Sequence, residues 1–250
     1  MRGIRELVVN LLFPPRCACC RSLLEITDEA LHGGYCLCSE CRSLWERAKL
    51  ENCPECLCPS HLCLCAPTDG KLKRYKIPKL ITYTPEKNNI QSKMIFALKR
   101  VNDRRICKFV ANELAVSLCS YLKDERVLPD SCIYTYVPRR KRAMGKYGFD
   151  QASRLSSELA CVCEGEFLPM FERKGGKEQK KLDKQGRETN VTQVINLSDK
   201  CPEKIKGRTV VVVDDLVTTG ATLGRAAKLL NDAGAARVYV TVVGKTYERK

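Results

Sequence analysis

The spacing of hydrophobic positions changes twice along the chain. Ile4, Leu7, Val8, Leu11 and Leu12 fall at i, i+3, i+4, i+7 and i+8, which predicts a short amphipathic helix over residues 1–13. Residues 14–66 show no long apolar periodicity and are punctuated by Pro14-Pro15, Gly33-Gly34, Pro54 and Pro59. Residues 67–78 carry Lys71, Lys73, Arg74 and Lys76 and read as a basic linker. From residue 79 strands alternate with helices. Lys79–Thr84, Cys132–Val137, Thr209–Val213 and Arg237–Val243 have strand patterns. Asn88–Arg100, Arg104–Leu122, Gln151–Val162 and Thr222–Ala233 have helical ones, the last ending at Gly234. The all-apolar run Val210–Val213 suits a strand buried on both faces. Such alternation over residues 79–250 predicts an α/β domain with a mainly parallel sheet, preceded by a small Cys-rich one.

Cysteine changes the picture most. The chain has 17, and eleven of them lie between Cys17 and Cys65. The start is a poor secretory signal, because charged residues interrupt its apolar positions and no small-residue cleavage site follows. The expectation is therefore a cytoplasmic, reducing setting, where clustered cysteines bind metal rather than pair as disulfides. Cys17-x-x-Cys20 and Cys38-x-x-Cys41 are two knuckles 17 residues apart, the spacing of a four-cysteine zinc ribbon. A second set opens with Cys53-x-x-Cys56. Cys58, His61, Cys63 and Cys65 compete to complete it; Cys63 and Cys65 are favoured as a returning pair, with His61 as a substitute. A catalytic zinc keeps an open position and usually takes His or carboxylate ligands, so these zincs are expected to be structural. Their removal is expected to unfold residues 14–66 and leave the α/β part folded.

Net charge is +15, unevenly spread: residues 1–66 carry −1 and the rest carries +16. A polyanion should therefore bind the second segment. With 44% hydrophobic residues the chain can fill a core, which excludes wholesale disorder. No apolar run approaches the roughly 20 residues of a membrane span.

The chemistry concentrates in Val210-Val-Val-Val-Asp214-Asp215-Leu-Val-Thr218-Thr219-Gly220-Ala221-Thr222. An apolar strand delivers two adjacent carboxylates at its carboxyl end, where ligands of open α/β sheets bind. The small-residue loop that follows offers N–H groups, hydroxyls and a helix N-terminus, which suit a phosphate. It is not a Walker loop, since no Gly-Lys-Ser/Thr follows. Side-by-side carboxylates repel and call for a ligand or cation.

This segment resembles the phosphoribosyl-pyrophosphate (PRPP) motif of type I phosphoribosyltransferases. The resemblance implies that Asp214 and Asp215, the catalytic pair, hold the ribose hydroxyls, and that Thr218, Thr219, Gly220, Ala221 and Thr222 cradle the 5′-phosphate. Mg²⁺ would accompany PRPP. Further stretches are similar to the ComF family (ComFC/GntX-like proteins). Cys17–Cys65 resembles its double zinc ribbon, here over residues 14–66. Val137-Pro138-Arg-Arg-Lys-Arg142 with Gly148-Phe149-Asp150-Gln151-Ala152 resembles its Val-Pro…Arg-Gly-Phe-Asn-Gln-Ala stretch. Arg173…Gln179…Leu182…Arg187…Asn190 resembles its mobile loop. On that basis Arg139, Lys146, Arg173 and Arg187 are candidates for the diphosphate and the mobile loop. The chain departs from the pattern at Tyr147, where the family has Arg, and at Asp150, where it has Asn and a hydrogen-bond donor.

The resemblance implies three functions: a phosphoribosyltransferase with an unassigned acceptor, a competence protein, and a PRPP-sensing regulator. The competence protein would handle incoming single-stranded DNA with a helicase-like ATPase.

Overall fold

The computed structural model describes residues 14–24, 35–67, 72–86, 88–139, 145, 148–173, 195–198 and 201–247. The predicted helix over 1–13, Arg140 to Arg142, Lys146, Tyr147 and the loop residues from Lys174 through Arg187 to Asn190 lie outside them.

A five-stranded parallel sheet forms the frame. Its strands are β1 (Ile81–Tyr83), β2 (Ile133–Tyr136), β3 (Glu166–Phe167), β6 (Thr209–Val217) and β7 (Arg237–Thr246), in the order β1-β7-β6-β2-β3. A separate antiparallel pair joins β4 (Phe171–Arg173) to β5 (Ile195–Leu197). The α-helices are α1 (Ser39–Leu50), α2 (Ile90–Arg100), α3 (Arg104–Asp124), α4 (Gln151–Val162), the single turn α5 (Pro202–Ile205) and α6 (Ala221–Asp232). Local chemistry starts three of them. The side chains of Asn89, Asp103 and Asp150 accept hydrogen bonds from first-turn N–H groups of α2, α3 and α4.

The alternation of side chains along a strand divides the core. On β6, Val211 and Val213 join a cluster with α2, α3 and α4, while Val210 and Val212 join one with α6. β6 runs further than the apolar run predicts. Its pairing with β7 continues through Asp214↔Val242 to Val217↔Lys245, so the acid pair lies inside the strand and not at its end.

The Cys-rich stretch shares the first of these clusters. Cys17, Leu37, Cys41 and Trp45 are buried together with Met94, Phe109 and Leu114. The helix α1 was not predicted; its inward face is Cys41, Trp45 and Ala48, at helical spacing. Lys49 and Arg42 of α1 both pair with Glu113 of α3, and Arg42 also lies over the Phe109 ring. The stretch between the Cys-rich region and β1 buries Leu72 and Ile77 against the α6 side of the sheet. Among the described residues, no helix is long and apolar enough to cross a membrane.

Candidate functional site

The sulfurs of Cys17, Cys20, Cys38 and Cys41 lie within 4.8 Å of one another, as do those of Cys53, Cys56, Cys63 and Cys65. Tetrahedral Zn–S bonds of about 2.3 Å require sulfurs about 3.8 Å apart. Cys20 and Cys38 are at 3.6 Å and Cys56 and Cys63 at 3.4 Å, so both tetrads fit zinc. His61 is not one of the four; its Nδ1 lies 2.9 Å from the Lys49 carbonyl. Cys58 also stands outside the second tetrad.

Neighbours favour the thiolate at Cys20 and Cys53, while burial raises Cys41, Cys63 and Cys65. The Ser22 hydroxyl lies 3.0 Å from the Cys20 sulfur and brings that thiol down to about 6. Burial opposes ionisation of Cys53, but hydrogen bonds from the Tyr247 hydroxyl and the Glu55 and Cys56 N–H groups bring it to about 6. Lys79, fully buried at the entrance to β1, donates to the Cys63 sulfur at 3.0 Å. Lys245 near the end of β7 binds both carboxylate oxygens of Glu55, inside the Cys53–Cys56 knuckle, and the Ala66 carbonyl at 2.7 Å. Such outer partners hold metal ligands in place. Sequence reasoning missed Lys79, Lys245 and Tyr247. Nothing in their spacing marks a lysine or tyrosine at a strand end as a neighbour of sulfur.

The acid pair lies on the far third of β6. Asp215 is buried; it accepts from Gln151 Nε2 at 2.6 Å and pairs with Lys99 Nζ at 3.2 Å. The N–H of Asp215 donates to Asp214 Oδ1 at 2.8 Å. Burial, and then the charge of Asp215, push the Asp214 carboxyl up to about 8. Gln151 Oε1 is buried with no partner among the described residues. An orphaned acceptor beside two carboxylates suits a ligand that brings hydroxyl groups or a hydrated cation.

Immediately after β6 the chain turns through Thr218 and Thr219 to Gly220, whose φ of 72° is left-handed, and enters α6. A small open recess of about 70 Å³ lies between Asp214 and Leu223, lined by the whole loop Thr218–Thr222. The α6 N-terminus and Thr218, Thr219 and Thr222 line an anion-sized space there.

The pairing Tyr136↔Val213 brings the end of β2 level with the acids. Arg139 follows directly. Its N–H donates to Asp150 Oδ2 at 2.7 Å, and its guanidinium donates to the carbonyls of Lys99 and Phe149. Arg173 donates to the Pro138 carbonyl, so two of the four basic candidates meet at this edge. Lys146 and Arg187 lie outside the described residues. Asp150 serves as an acceptor towards Arg139, Ala152 and Ser153, so its place needs no donor. The motif that contains Gln151 assigns it no role, and the structure makes it the amide partner of Asp215. Lys99, in the last turn of α2, carries no sequence signal that marks it as a partner of Asp215.

Residues 148–249 match the family model "Phosphoribosyl transferase domain". The span holds α4, β6, the loop, α6 and β7. Two relatives extend the match into the Cys-rich stretch. "Competence protein ComFC" of Streptococcus pneumoniae is 27% identical over 80% of this chain and 83% of its own. "DNA utilization protein YhgH" of Escherichia coli K12 is 28% identical over 94% of this chain and 99% of its own. The chain is a homologue of ComFC and YhgH. The ComF-family resemblance read from the motifs is borne out, and so is the fold class, a parallel α/β sheet of phosphoribosyltransferase type behind a Cys-rich region. Among solved structures, hypoxanthine phosphoribosyltransferase from Staphylococcus aureus aligns at a TM-score of 0.36 and 12% identity, over 60% of this chain and 78% of that one.

Proposed function

We propose that this ComF-type chain binds Mg²⁺-PRPP at the edge formed by Asp214, Asp215 and Thr218–Thr222, with structural zinc in both Cys tetrads. The observation that carries the reading is Gln151 Oε1, which has no partner among the described residues, on the side chain that binds Asp215, with a small recess lined by Asp214 and Thr218–Thr222. The sugar hydroxyls would donate to Asp214 and Asp215, and the 5′-phosphate would sit on the loop and the α6 N-terminus. Arg139 and Arg173 would face the diphosphate, joined by Lys146 and Arg187.

Chemistry at such a site is positioning and charge stabilisation. The acceptor atom forms a bond to ribose C1 as the C1–O bond to diphosphate breaks. Diphosphate leaves with that electron pair, and the acceptor's proton passes to water; Mg²⁺ bound with PRPP would offset the charge that develops on the diphosphate. Cys17, Cys20, Cys38 and Cys41, and Cys53, Cys56, Cys63 and Cys65, would hold zinc that cross-links residues 14–66 and takes no part in transfer.

A second reading is a non-catalytic accessory that binds single-stranded DNA in competence, or senses PRPP. The +16 charge beyond residue 66 and the names of its relatives, a competence protein and a DNA utilization protein, favour it. A helicase-like ATPase partner and a cytoplasmic location belong to either reading.

Thermal shift with Mg²⁺-PRPP tests the common core of both. A ligand that binds the native state alone must raise the melting temperature. No shift at millimolar PRPP would remove the PRPP reading. Diphosphate release that disappears in Asp214→Asn and Asp215→Asn selects the enzyme. Salt-dependent binding of single-stranded DNA without diphosphate release selects the accessory.

A further inference from the structure

Six cysteines lie beyond the Cys-rich stretch, and two of them touch through sulfur. Cys119 Sγ on α3 is 3.7 Å from the Sγ of Cys163, the residue that ends α4, although 44 positions separate them in the chain. Local packing holds Cys163 there. Its N–H donates to the Leu159 carbonyl at 3.0 Å, and the N–H of Gly165 reaches back to the Ala160 carbonyl at 2.9 Å. A Cβ at Gly165 would overlap the ring of the fully buried Tyr134, whose hydroxyl donates to the Pro129 carbonyl at 3.0 Å. Cys132, just before β2, is no third ligand: among the described residues, groups of three or more sulfurs within 4.8 Å of one another occur only in the two tetrads. The contact is therefore a dithiol and not a metal site.

The two sulfurs differ in the ways an oxidation requires. Cys119 is partly exposed and Cys163 is buried, so a small solute in water meets Cys119 first. Burial pushes the thiols of Cys107 and Cys132 up to about 11. Cys119 goes the other way: the hydrogen bond with Cys163 brings it down to about 7, and the same contact, with burial, raises Cys163. The nucleophilic thiolate thus sits on the accessible sulfur, with a protonated thiol behind it. A disulfide brings its sulfurs to about 2.05 Å, so the pair has to close by about 1.7 Å.

We propose that Cys119 and Cys163 are an oxidation site for a small peroxide, with Cys119 attacking and Cys163 resolving, and that their disulfide fastens α3 to α4. The Cys119 thiolate attacks one oxygen of hydrogen peroxide. An S–O bond forms as the O–O bond breaks, and the departing hydroxide takes up the proton that Cys119 had released. Cys119 is then a sulfenic acid. The Cys163 sulfur attacks the Cys119 sulfur; the S–S bond forms, the S–O bond breaks, and the oxygen leaves as water with the Cys163 proton. Two thiols lose two electrons, and one peroxide gains them and becomes two waters. In a reducing setting such a bond is transient and suits a sensor. The site does not rest on the PRPP reading, although the closed segment 119–163 contains Arg139, Asp150 and Gln151.

Peptide mapping of the full, metal-loaded chain after one equivalent of hydrogen peroxide and a block with N-ethylmaleimide tests it. Trypsin places the two sulfurs on separate peptides, residues 109–123 and 155–173. The two are expected to appear linked, two hydrogens lighter than their sum, and to separate with dithiothreitol. The second peptide also carries the exposed Cys161, so the link must persist in Cys161→Ser and vanish in Cys119→Ser. In Cys163→Ala, Cys119 is expected to stop at a sulfenic acid that dimedone captures. Wild-type Cys119 recovered as its N-ethylmaleimide adduct overturns the proposal, and so does a link that disappears in Cys161→Ser. Zinc, followed with a chromogenic chelator, is expected to stay bound while the link forms; its release before any link would make the tetrads the oxidised groups and overturn the proposal as well. The melting temperature is expected to rise with the link and to fall back on reduction, because the cross-link constrains the unfolded chain. A lower melting temperature in the linked protein would overturn the fastening of α3 to α4.

Discussion

Lys79 Nζ lies 3.0 Å from the sulfur of Cys63. Its other partners are the carbonyls of Cys63 and Cys65, so every acceptor of this fully buried ammonium belongs to the second tetrad. A buried charge is tolerated only when paired and hydrogen-bonded. A zinc tetrathiolate carries two negative charges, and Lys79 offsets one of them. Lys79→Met is therefore expected to cost about 3–5 kcal/mol, the usual loss when one partner of a buried pair is removed. It should also speed metal loss to a chelator. Urea unfolding and chelator competition measure the two effects. Wild-type stability with wild-type metal retention would show that the lysine is not a partner of the metal centre.

Trp45 makes metal removal a test of the whole molecule. It is the single tryptophan of the chain, fully buried, with its ring 6.4 Å from that of Phe109 on α3. The sequence alone suggests that chelation would unfold residues 14–66 and spare the rest. The shared cluster argues otherwise, because losing the first tetrad exposes the apolar face of α3 on which α1 lies. Chelation is expected to red-shift Trp45 emission and lower the melting temperature of the sheet in one transition. Two separated transitions, with helical circular dichroism kept after the emission shift, would restore the simpler expectation.

Gly220 places the loop after β6 against the segment leaving the second tetrad. A Cβ there would lie 2.8 Å from Leu72 Cδ1 and 3.2 Å from Pro67 Cγ. The φ of 72° adds about 1–2 kcal/mol for any L side chain. Gly220→Ala must either displace Pro67 and Leu72 or open the loop. The expected result is a loss of at least 1 kcal/mol in chemical denaturation and a weakened or absent PRPP thermal shift. Unchanged PRPP stabilisation in this variant would mean that the turn does not hold the phosphate.

The frame and the acid-loop segment were legible because their signals are local. A run of four valines, a helical stripe such as Met94, Ile95 and Leu98, and an Asn or Asp at the start of α2, α3 and α4 act within a few residues. β3, β4 and β5 are two or three residues long and leave no period to read. α1 escaped because Cys41 was counted as a ligand, and its burial as an apolar residue was overlooked. The partners of the sites were the least legible. Lys79 meets Cys63 across 16 positions, Gln151 meets Asp215 across 64, and Lys245 meets Glu55 across 190. Such contacts are made by the sheet order, which places β7 beside β1 and β6.

The Asp214 carboxyl gives a pH dependence with a definite sign. Burial first, and the neighbouring Asp215 charge second, raise it to about 8, against about 3.9 in an unfolded chain. Between those values the native state keeps a proton that the unfolded state releases. This group therefore makes the native state less stable as pH rises from about 4 to 8, and Asp214→Asn should remove that slope. Sugar hydroxyls donate to a carboxylate and favour its ionised form, so PRPP binding should expel the proton. Above about pH 7.5 the ligand's own monoester, with a second pKa near 6, is already a dianion and does not confuse the count. At pH 7.5 binding is expected to release most of one proton, falling towards none by pH 9, with affinity rising over the same interval. Calorimetry in two buffers of different ionisation enthalpy reads the proton directly. Equal binding enthalpies in both buffers at pH 7.5 would show that Asp214 does not change its protonation when the sugar binds.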